Sequence, residues 1–138
     1  MGLDMYMYTR KRGETTNPVD RIPCSCSEEQ SNNTMYWRKA NQIRQWFVDH
    51  TGYDSEADCV EHIIKKEQLE DLVKDCTTVL FHPEMAEKVL PISDGYFFGN
   101  TEYNSGYFAV LRQTVCGIME MLVSIDWDTE EVVYYEWW

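Results

Sequence analysis

The sequence has little positive charge. Its 12 Lys and Arg residues are outnumbered by 24 Asp and Glu residues, which gives a formal net charge of −12 at pH 7. The imbalance lies in the second part of the chain: residues 1–50 carry seven basic and six acidic residues, residues 51–138 carry five and eighteen, and no basic residue follows Arg112. Because an acidic surface repels phosphate backbones, this composition argues against direct nucleic-acid binding and favours solubility or a basic protein partner.

Long apolar runs are missing as well. Nowhere do about 18 apolar residues occur together, as a membrane-spanning helix requires. Residues 1–8 also lack a basic segment followed by a long apolar run, as a secretory signal would have. The sequence therefore predicts a cytoplasmic protein with no membrane partner. With 138 residues, 43% of them hydrophobic, the chain is long enough to bury the core of one folded domain.

Motifs for metal binding and catalysis are scarce. Five cysteines, an odd number scattered along the chain, do not suggest a disulfide framework, so we expect reduced thiols. Cys24 and Cys26 are one residue apart, whereas zinc ligands are usually separated by about two to four residues, which leaves a zinc site there as the less favoured alternative. The chain has no nucleophile elbow, Walker loop, His-Glu-x-x-His or zinc-deaminase signature. We expect no cofactor, no metal and no enzymatic activity.

The hydrophobic pattern predicts alternating strands and helices. Alternation over residues 2–10 indicates a strand, and the polar stretch at 11–34 is typical of a long, mobile loop. Helices are predicted at 35–50, with Thr34 as its cap, at 66–81 and at 105–125, with a short helical turn at 84–90. Residues 58–64 fit a short strand or a helical extension. Brief strands are predicted at 95–99 and 131–138.

These elements favour an α+β fold. They are too few for a doubly wound sheet, and no glycine-rich nucleotide loop accompanies them. We predict a single domain, residues 1–138, in which three main helices pack on a small, mainly antiparallel sheet, with the first and last strands as neighbours.

Two segments are candidates for a small-molecule site. In the predicted helix 35–50, Trp37, Asn41 and Arg44 share one stripe, and an aromatic plane, an amide and a guanidinium can together bind a planar anion such as a nucleotide. The alternative is structural: Trp37 at the edge of the core and Arg44 paired with an acid. The second segment, residues 94–100, places glycines around aromatic residues, which lets a backbone approach a ligand closely or simply forms strand ends. A ligand between the two segments would also contact Phe98, Tyr103 and Tyr107.

The acidic, aromatic end of the chain is a candidate protein-binding surface. Tryptophans there can anchor a partner while carboxylates meet its Lys and Arg side chains. The alternative is that the acids fill a turn and protect a strand edge. The predicted partner-binding residues are Asp126, Trp127, Asp128, Glu130, Glu131, Glu136 and Trp138.

Three stretches together resemble a family of small, uncharacterised proteins encoded by bacteriophages and prophages. They are residues 1–6 (MGLDMY), residues 36–43 (YWRKANQI) followed by Trp46 and Phe47, and residues 90–99 (LPISDGYFFG) followed by Tyr107. The resemblance covers most of the chain and implies no catalytic residue.

The resemblance implies an accessory protein in the cytosol of a host cell. Small acidic phage proteins often inhibit a host defence or nucleic-acid-binding protein by covering its basic surface, which suits the acidic end of this chain. Others sequester nucleotide immune signals in pockets of aromatic and basic side chains, which suits Trp37, Asn41 and Arg44. The first role is the leading hypothesis and the second is the alternative, followed by a small enzyme of unknown reaction.

Overall fold

Four antiparallel strands form the sheet in the computed structural model, which describes residues 4–13, 34–51, 61–92 and 102–137. They are β1 (Asp4–Lys11), β2 (Thr34–Arg38), β3 (His62–Ile64) and β4 (Glu130–Trp137), in the spatial order β2-β1-β4-β3. The predicted neighbouring of the first and last strands is confirmed, since β1 and β4 pair from Asp4 opposite Trp137 to Lys11 opposite Glu130.

The helices are α1 (Asn41–Thr51), α2 (Lys66–Phe81), α3 (Ala86–Val89) and α4 (Ser105–Ser124), and a single 3-10 turn (Pro83–Met85) precedes α3. The predictions for α2 and α4 are confirmed, as is the short helical turn that contains α3. Together the strands and helices confirm the predicted α+β fold.

The main core lies between one face of the sheet and the helices. Alternation puts Met5 and Met7 of β1 and Val132 and Tyr134 of β4 on that face, all fully buried. The helices contribute apolar side chains that include Ile43, Phe47, Leu69, Leu72, Leu111 and Ile118. Each such side chain contributes about 1.5–3 kcal/mol when it leaves water. The opposite face carries a second buried cluster of Tyr6, Tyr8, Val133 and Tyr135.

The predicted helix over residues 35–50 is wrong in its first part. Residues 34–38 form β2, where Met35 and Trp37 are buried and alternate with the exposed Tyr36 and Arg38. Pairing with β1 stabilises this period of two, although Tyr36, Ala40, Ile43 and Phe47 also fit a helical stripe. Thr34 therefore starts a strand and caps no helix.

Several predicted segments lie partly or wholly outside the described residues. This holds for residues 14–33 of the predicted loop, for the predicted strand at 95–99 and for residues 58–60 of the predicted strand at 58–64. Within the described part, His62–Ile64 form a strand and not a helical extension.

Candidate functional site

A cavity of about 230 Å³ lies where the junction between β2 and α1 meets the first turns of α4. It is lined by Arg38, Lys39, Asn41, Gln42, Glu102, Asn104, Gly106, Tyr107 and Val110. Polar side chains from two distant parts of the sequence thus meet in one concave site.

Lys39 makes the turn that shapes one wall of the cavity. Its φ of 55° lies in the left-handed region, which residues other than glycine adopt uncommonly. The chain leaves β2 there and enters α1, where Ile43 N and Arg44 N both donate to Ala40 O at 3.1 Å. The turn leaves Arg38 and Lys39 exposed and buries the two amide residues that follow, Asn41 and Gln42.

Asn41 and Gln42 bring two side-chain amides to the cavity. Only 2% of Asn41 and 4% of Gln42 are exposed, and both line the cavity. A side-chain amide offers both a donor and an acceptor to a bound molecule.

The start of α4 forms the opposite wall. Asn104 caps this 20-residue helix, because its Oδ1 accepts the Tyr107 N–H at 3.2 Å while its backbone oxygen accepts the Phe108 N–H. The N–H groups of Ser105 and Gly106 have no acceptor among the residues described. Helix N-termini carry partial positive charge, so these donors favour an acceptor with negative charge.

Tyr107 contributes to the cavity while its hydroxyl is engaged elsewhere. The hydroxyl donates to Leu90 O at 2.7 Å, and burial raises the pKa of this phenol. Its ring packs edge-on against Tyr103 at 5.1 Å between centroids. Through this hydrogen bond Tyr107 connects the cavity lining to the segment that follows α3.

The predicted stripe of Trp37, Asn41 and Arg44 does not exist as one helix face. Trp37 lies on β2, is 2% exposed, and donates through Nε1 to Thr114 Oγ1 at 2.8 Å. Arg44 is 4% exposed, and its Nε lies 3.1 Å from both carboxylate oxygens of Glu136. Their burial supports the structural interpretation for both residues, whereas Asn41 lines the cavity.

The other predicted ligand contacts divide similarly. Tyr107 lines the cavity; Tyr103 lies outside its lining, with a hydroxyl that accepts the Ile92 N–H at 3.3 Å. Phe98 lies outside the described residues. Arg38, Lys39 and Gln42 were not among the predicted ligand contacts, because all three were placed inside a predicted helix. The alternation over residues 35–38 was the signal that would have separated the strand from the helix.

Two of the predicted partner-binding acids are engaged inside the protein, so assigning them to an open docking surface was wrong. Glu131 is buried and accepts from Arg10 Nε at 2.9 Å. Glu136 is 1% exposed and pairs with Arg44, and it also accepts from the Tyr134 hydroxyl at 2.7 Å.

The remaining predicted partner-binding residues lie at the turn from α4 to β4, apart from Trp138, which is outside the described residues. Asp126 and Asp128 are exposed there, on either side of the half-buried Trp127. Arg12 donates to the Trp127 carbonyl oxygen from Nε at 3.0 Å and from Nη2 at 2.7 Å. Glu130, also half-buried, accepts from the Asp126 N–H at 3.2 Å.

Among the described residues, no three His, Cys, Asp or Glu side chains gather closely enough to hold a metal ion, and Cys24 and Cys26 lie outside this part. No helix in the described ranges has the length and apolar character needed to cross a bilayer.

Comparison of the chain with protein-family models, curated proteins and solved structures gave no match.

Proposed function

We propose that this protein binds a small polar molecule in the cavity between the β2–α1 junction and the start of α4. The observation that carries this proposal is the cavity itself, in which Arg38, Lys39 and the amide residues Asn41 and Gln42 meet the first turns of α4. A concave site with a few convergent polar groups is where proteins usually bind small molecules.

The lining of the cavity suits binding better than covalent catalysis. The described lining residues include no Cys or Ser to act as a nucleophile, and no His, the residue whose ordinary pKa lies near neutrality, to act as a general base. Glu102 is exposed at this site, and the Tyr107 hydroxyl is engaged by Leu90. A sequestering or sensing role is consistent with this set of groups.

The size of the cavity limits the ligand. At about 230 Å³ it is smaller than the roughly 300–1,000 Å³ typical of pockets for drug-sized ligands. It suits a small metabolite or one part of a larger molecule, such as one end of a nucleotide. The resemblance to phage proteins supports a nucleotide-type signal as the ligand class.

Thermal shift and calorimetric titration with a panel of small metabolites and nucleotides test this proposal. Binding adds stability as ligand concentration exceeds Kd, about 2.7 kcal/mol at 100 times Kd. In Gln42→Leu we expect the ligand-induced shift to disappear, because the substitution removes a hydrogen-bond donor and an acceptor from the cavity lining. Gln45→Leu is the matched control, since Gln45 lies on the same helix outside the cavity lining. A panel without any binder, or equal shifts in the two variants, would contradict the proposal.

A second candidate function is docking to a basic protein of the host, as in phage inhibitors of host defence. It is favoured by the exposure of Asp126 and Asp128 beside Trp127, which narrows the predicted acidic surface to the α4–β4 turn. Capture of a host protein at low salt by the wild type but not by Asp126→Asn/Asp128→Asn would support it. Glu67→Gln/Glu70→Gln, which removes two exposed acids from α2, is the control for net charge.

A further inference from the structure

We infer that α4 docks onto α4 of a second copy of this chain, with the two helices antiparallel about a two-fold axis that passes beside Cys116. The surface involved is the outer stripe of α4, which consists of Ala109, Arg112, Cys116, Met119, Glu120 and Val123. The inference is separate from the proposed ligand cavity and from the acidic turn between α4 and β4. Three features of the outer stripe support it: its exposure, its apolar side chains and the order of its charges.

The outer stripe faces away from the core along most of the 20-residue helix α4. Each of its six side chains is exposed, and residues three or four positions apart lie on one side of a helix. The opposite side of α4 is buried, with Leu111 and Ile118 fully enclosed. A third side lies against β2, where Gln113 Nε2 donates to Tyr36 O at 3.1 Å. The outer stripe is therefore the side of α4 that remains for an external partner.

The outer stripe carries apolar side chains that one copy leaves in water. Met119 is 50% exposed and Val123 is 85% exposed, which makes Val123 the most exposed large apolar side chain in the described part of the chain. Ala109 and the free thiol of Cys116 extend this apolar surface toward the start of the helix. Covering the surface removes apolar area from water, which favours association.

The charges are ordered so that the outer stripe complements itself. Arg112 lies four positions before Cys116 and Glu120 lies four positions after it, so the three side chains form one ridge along the helix. About 12 Å of helix axis separates the two charged residues, whereas ion pairs within a helix form at three or four positions. A two-fold axis at Cys116 places Arg112 of each copy beside Glu120 of the other. Two ion pairs then form across the interface, one on each side of the axis.

This arrangement agrees with a common mode of helix packing. Ridges of side chains four positions apart interdigitate when two helices cross at about −50°. The ridge of one copy then lies between Arg112, Cys116 and Glu120 of the other and the neighbouring row that holds Met119 and Val123. An interface of one helix pair is at the small end of protein–protein interfaces, so we expect a reversible dimer that forms at micromolar concentrations.

Charge reversal in the full chain tests the inference. Arg112→Glu places two acids side by side at both contacts, and Glu120→Arg does the same with two guanidinium groups. Each single variant should therefore dimerise at least about tenfold more weakly than the wild type. The double variant Arg112→Glu/Glu120→Arg restores both ion pairs and should dimerise as the wild type does. An equimolar mixture of the two single variants should form a mixed dimer for the same reason.

Sedimentation equilibrium from about 1 to 500 μM measures the dimerisation of each protein. Net charge serves as an internal control, because Glu120→Arg makes the chain less negative. Repulsion between whole molecules would then strengthen its dimerisation, whereas loss of the ion pairs weakens it. Glu70→Arg makes the same change in net charge at an exposed position of α2 and should dimerise no more weakly than the wild type. All variants should melt within a few degrees of the wild type, since the substituted side chains are exposed.

Weaker dimerisation of both single variants, with recovery in the double variant and in the mixture, supports the antiparallel dimer. Tighter dimerisation of Glu120→Arg than of the wild type would overturn it, and so would single variants that dimerise as the wild type does. A wild type that stays monomeric at the highest concentration would also overturn it. The same holds if a different protein binds the outer stripe in place of a second copy.

Discussion

Replacing Glu136 with leucine is expected to lower the free energy of unfolding by about 3–5 kcal/mol. The substitution removes the carboxylate of a buried ion pair, in which Arg44 is 4% exposed and Glu136 is 1% exposed. The guanidinium would then stay in the core without its carboxylate, and a buried charge in that position is costly because water no longer solvates it.

The hydrogen bonds to Glu136 give a similar magnitude. Arg44 Nε lies 3.1 Å from both carboxylate oxygens, and the Tyr134 hydroxyl donates to Oε2 at 2.7 Å. Hydrogen bonds to charged groups contribute about 1.5–3 kcal/mol each, so two donors account for about 3–6 kcal/mol. Since small proteins have about 5–15 kcal/mol of total stability, the variant is expected to be marginally folded.

The double variant Arg44→Met/Glu136→Leu separates the cost of removing one partner from the net contribution of the ion pair. Because apolar side chains of similar volume often replace a buried ion pair without loss, we expect the double variant to be within about 1 kcal/mol of the wild type. Asp49→Asn, at an exposed acid on the same helix as Arg44, is the control and should change stability by less than about 0.5 kcal/mol.

Urea denaturation followed by circular dichroism measures the wild type, the single variants Glu136→Leu and Arg44→Met, the double variant and Asp49→Asn. Equal m-values would show that the same structure unfolds in each. A loss below about 1 kcal/mol in Glu136→Leu would refute the reasoning, since removing one partner of a buried ion pair costs about 3–5 kcal/mol. A double variant as unstable as the sum of the two single variants would also refute it, because the two residues would then act independently.

Two further predictions concern packing and pH. Gly117→Ala should destabilise the protein, because a Cβ there would lie 2.5 Å from Met35 Cε and 2.8 Å from Met35 Sδ. In a Met35→Ala background the same change should stabilise α4 by about 0.5–1 kcal/mol. Equal effects in the two backgrounds, measured by urea denaturation, would contradict this reasoning. Burial, together with the charge of Asp75, raises the pKa of the Cys76 thiol from its ordinary 9.0 to about 12. As pH rises, the thiol of the unfolded chain therefore ionises before that of the folded protein, and the free energy of unfolding should fall by up to about 1.4 kcal/mol per pH unit between pH 9 and 12. Cys76→Ala should show a shallower fall with pH. An equal slope in the variant and the wild type would contradict the raised pKa.

The sequence predicted the regular helices well and the β2–α1 junction poorly. The apolar period of α2 and α4 is uninterrupted, so local pattern and tertiary packing agree there. At residues 34–40 both periods fit, and the pairing of Met5 with Trp37 and Met7 with Met35 decides between them. Such pairing is a long-range property that no local window contains.

The candidate site was predicted in part for the same reason. Asn41 and Tyr107 were expected near a ligand, Asn41 as part of the predicted helical stripe and Tyr107 as an aromatic residue after segment 94–100, and both line the cavity. The position of the cations Arg38 and Lys39 at the cavity depends on the left-handed turn at Lys39, and the predicted helix over residues 35–50 contained no such turn. The ion pair between Glu131 and Arg10 could not be predicted from a local sequence pattern either, since the two residues are 121 positions apart.

The pairing of β1 with β4 determines when the sheet can form. These are its two central strands, and their partners lie more than a hundred residues apart in sequence, as in the bond between Arg10 and Glu131. Closing so long a loop costs chain entropy before any pairing repays it, which slows folding. A nascent chain in which β4 has not yet been synthesised lacks the strand that pairs with one edge of β1. The protein is therefore expected to acquire its native sheet only after β4 has left the ribosome, and to depend on chaperones or on its negative charge to stay unaggregated until then.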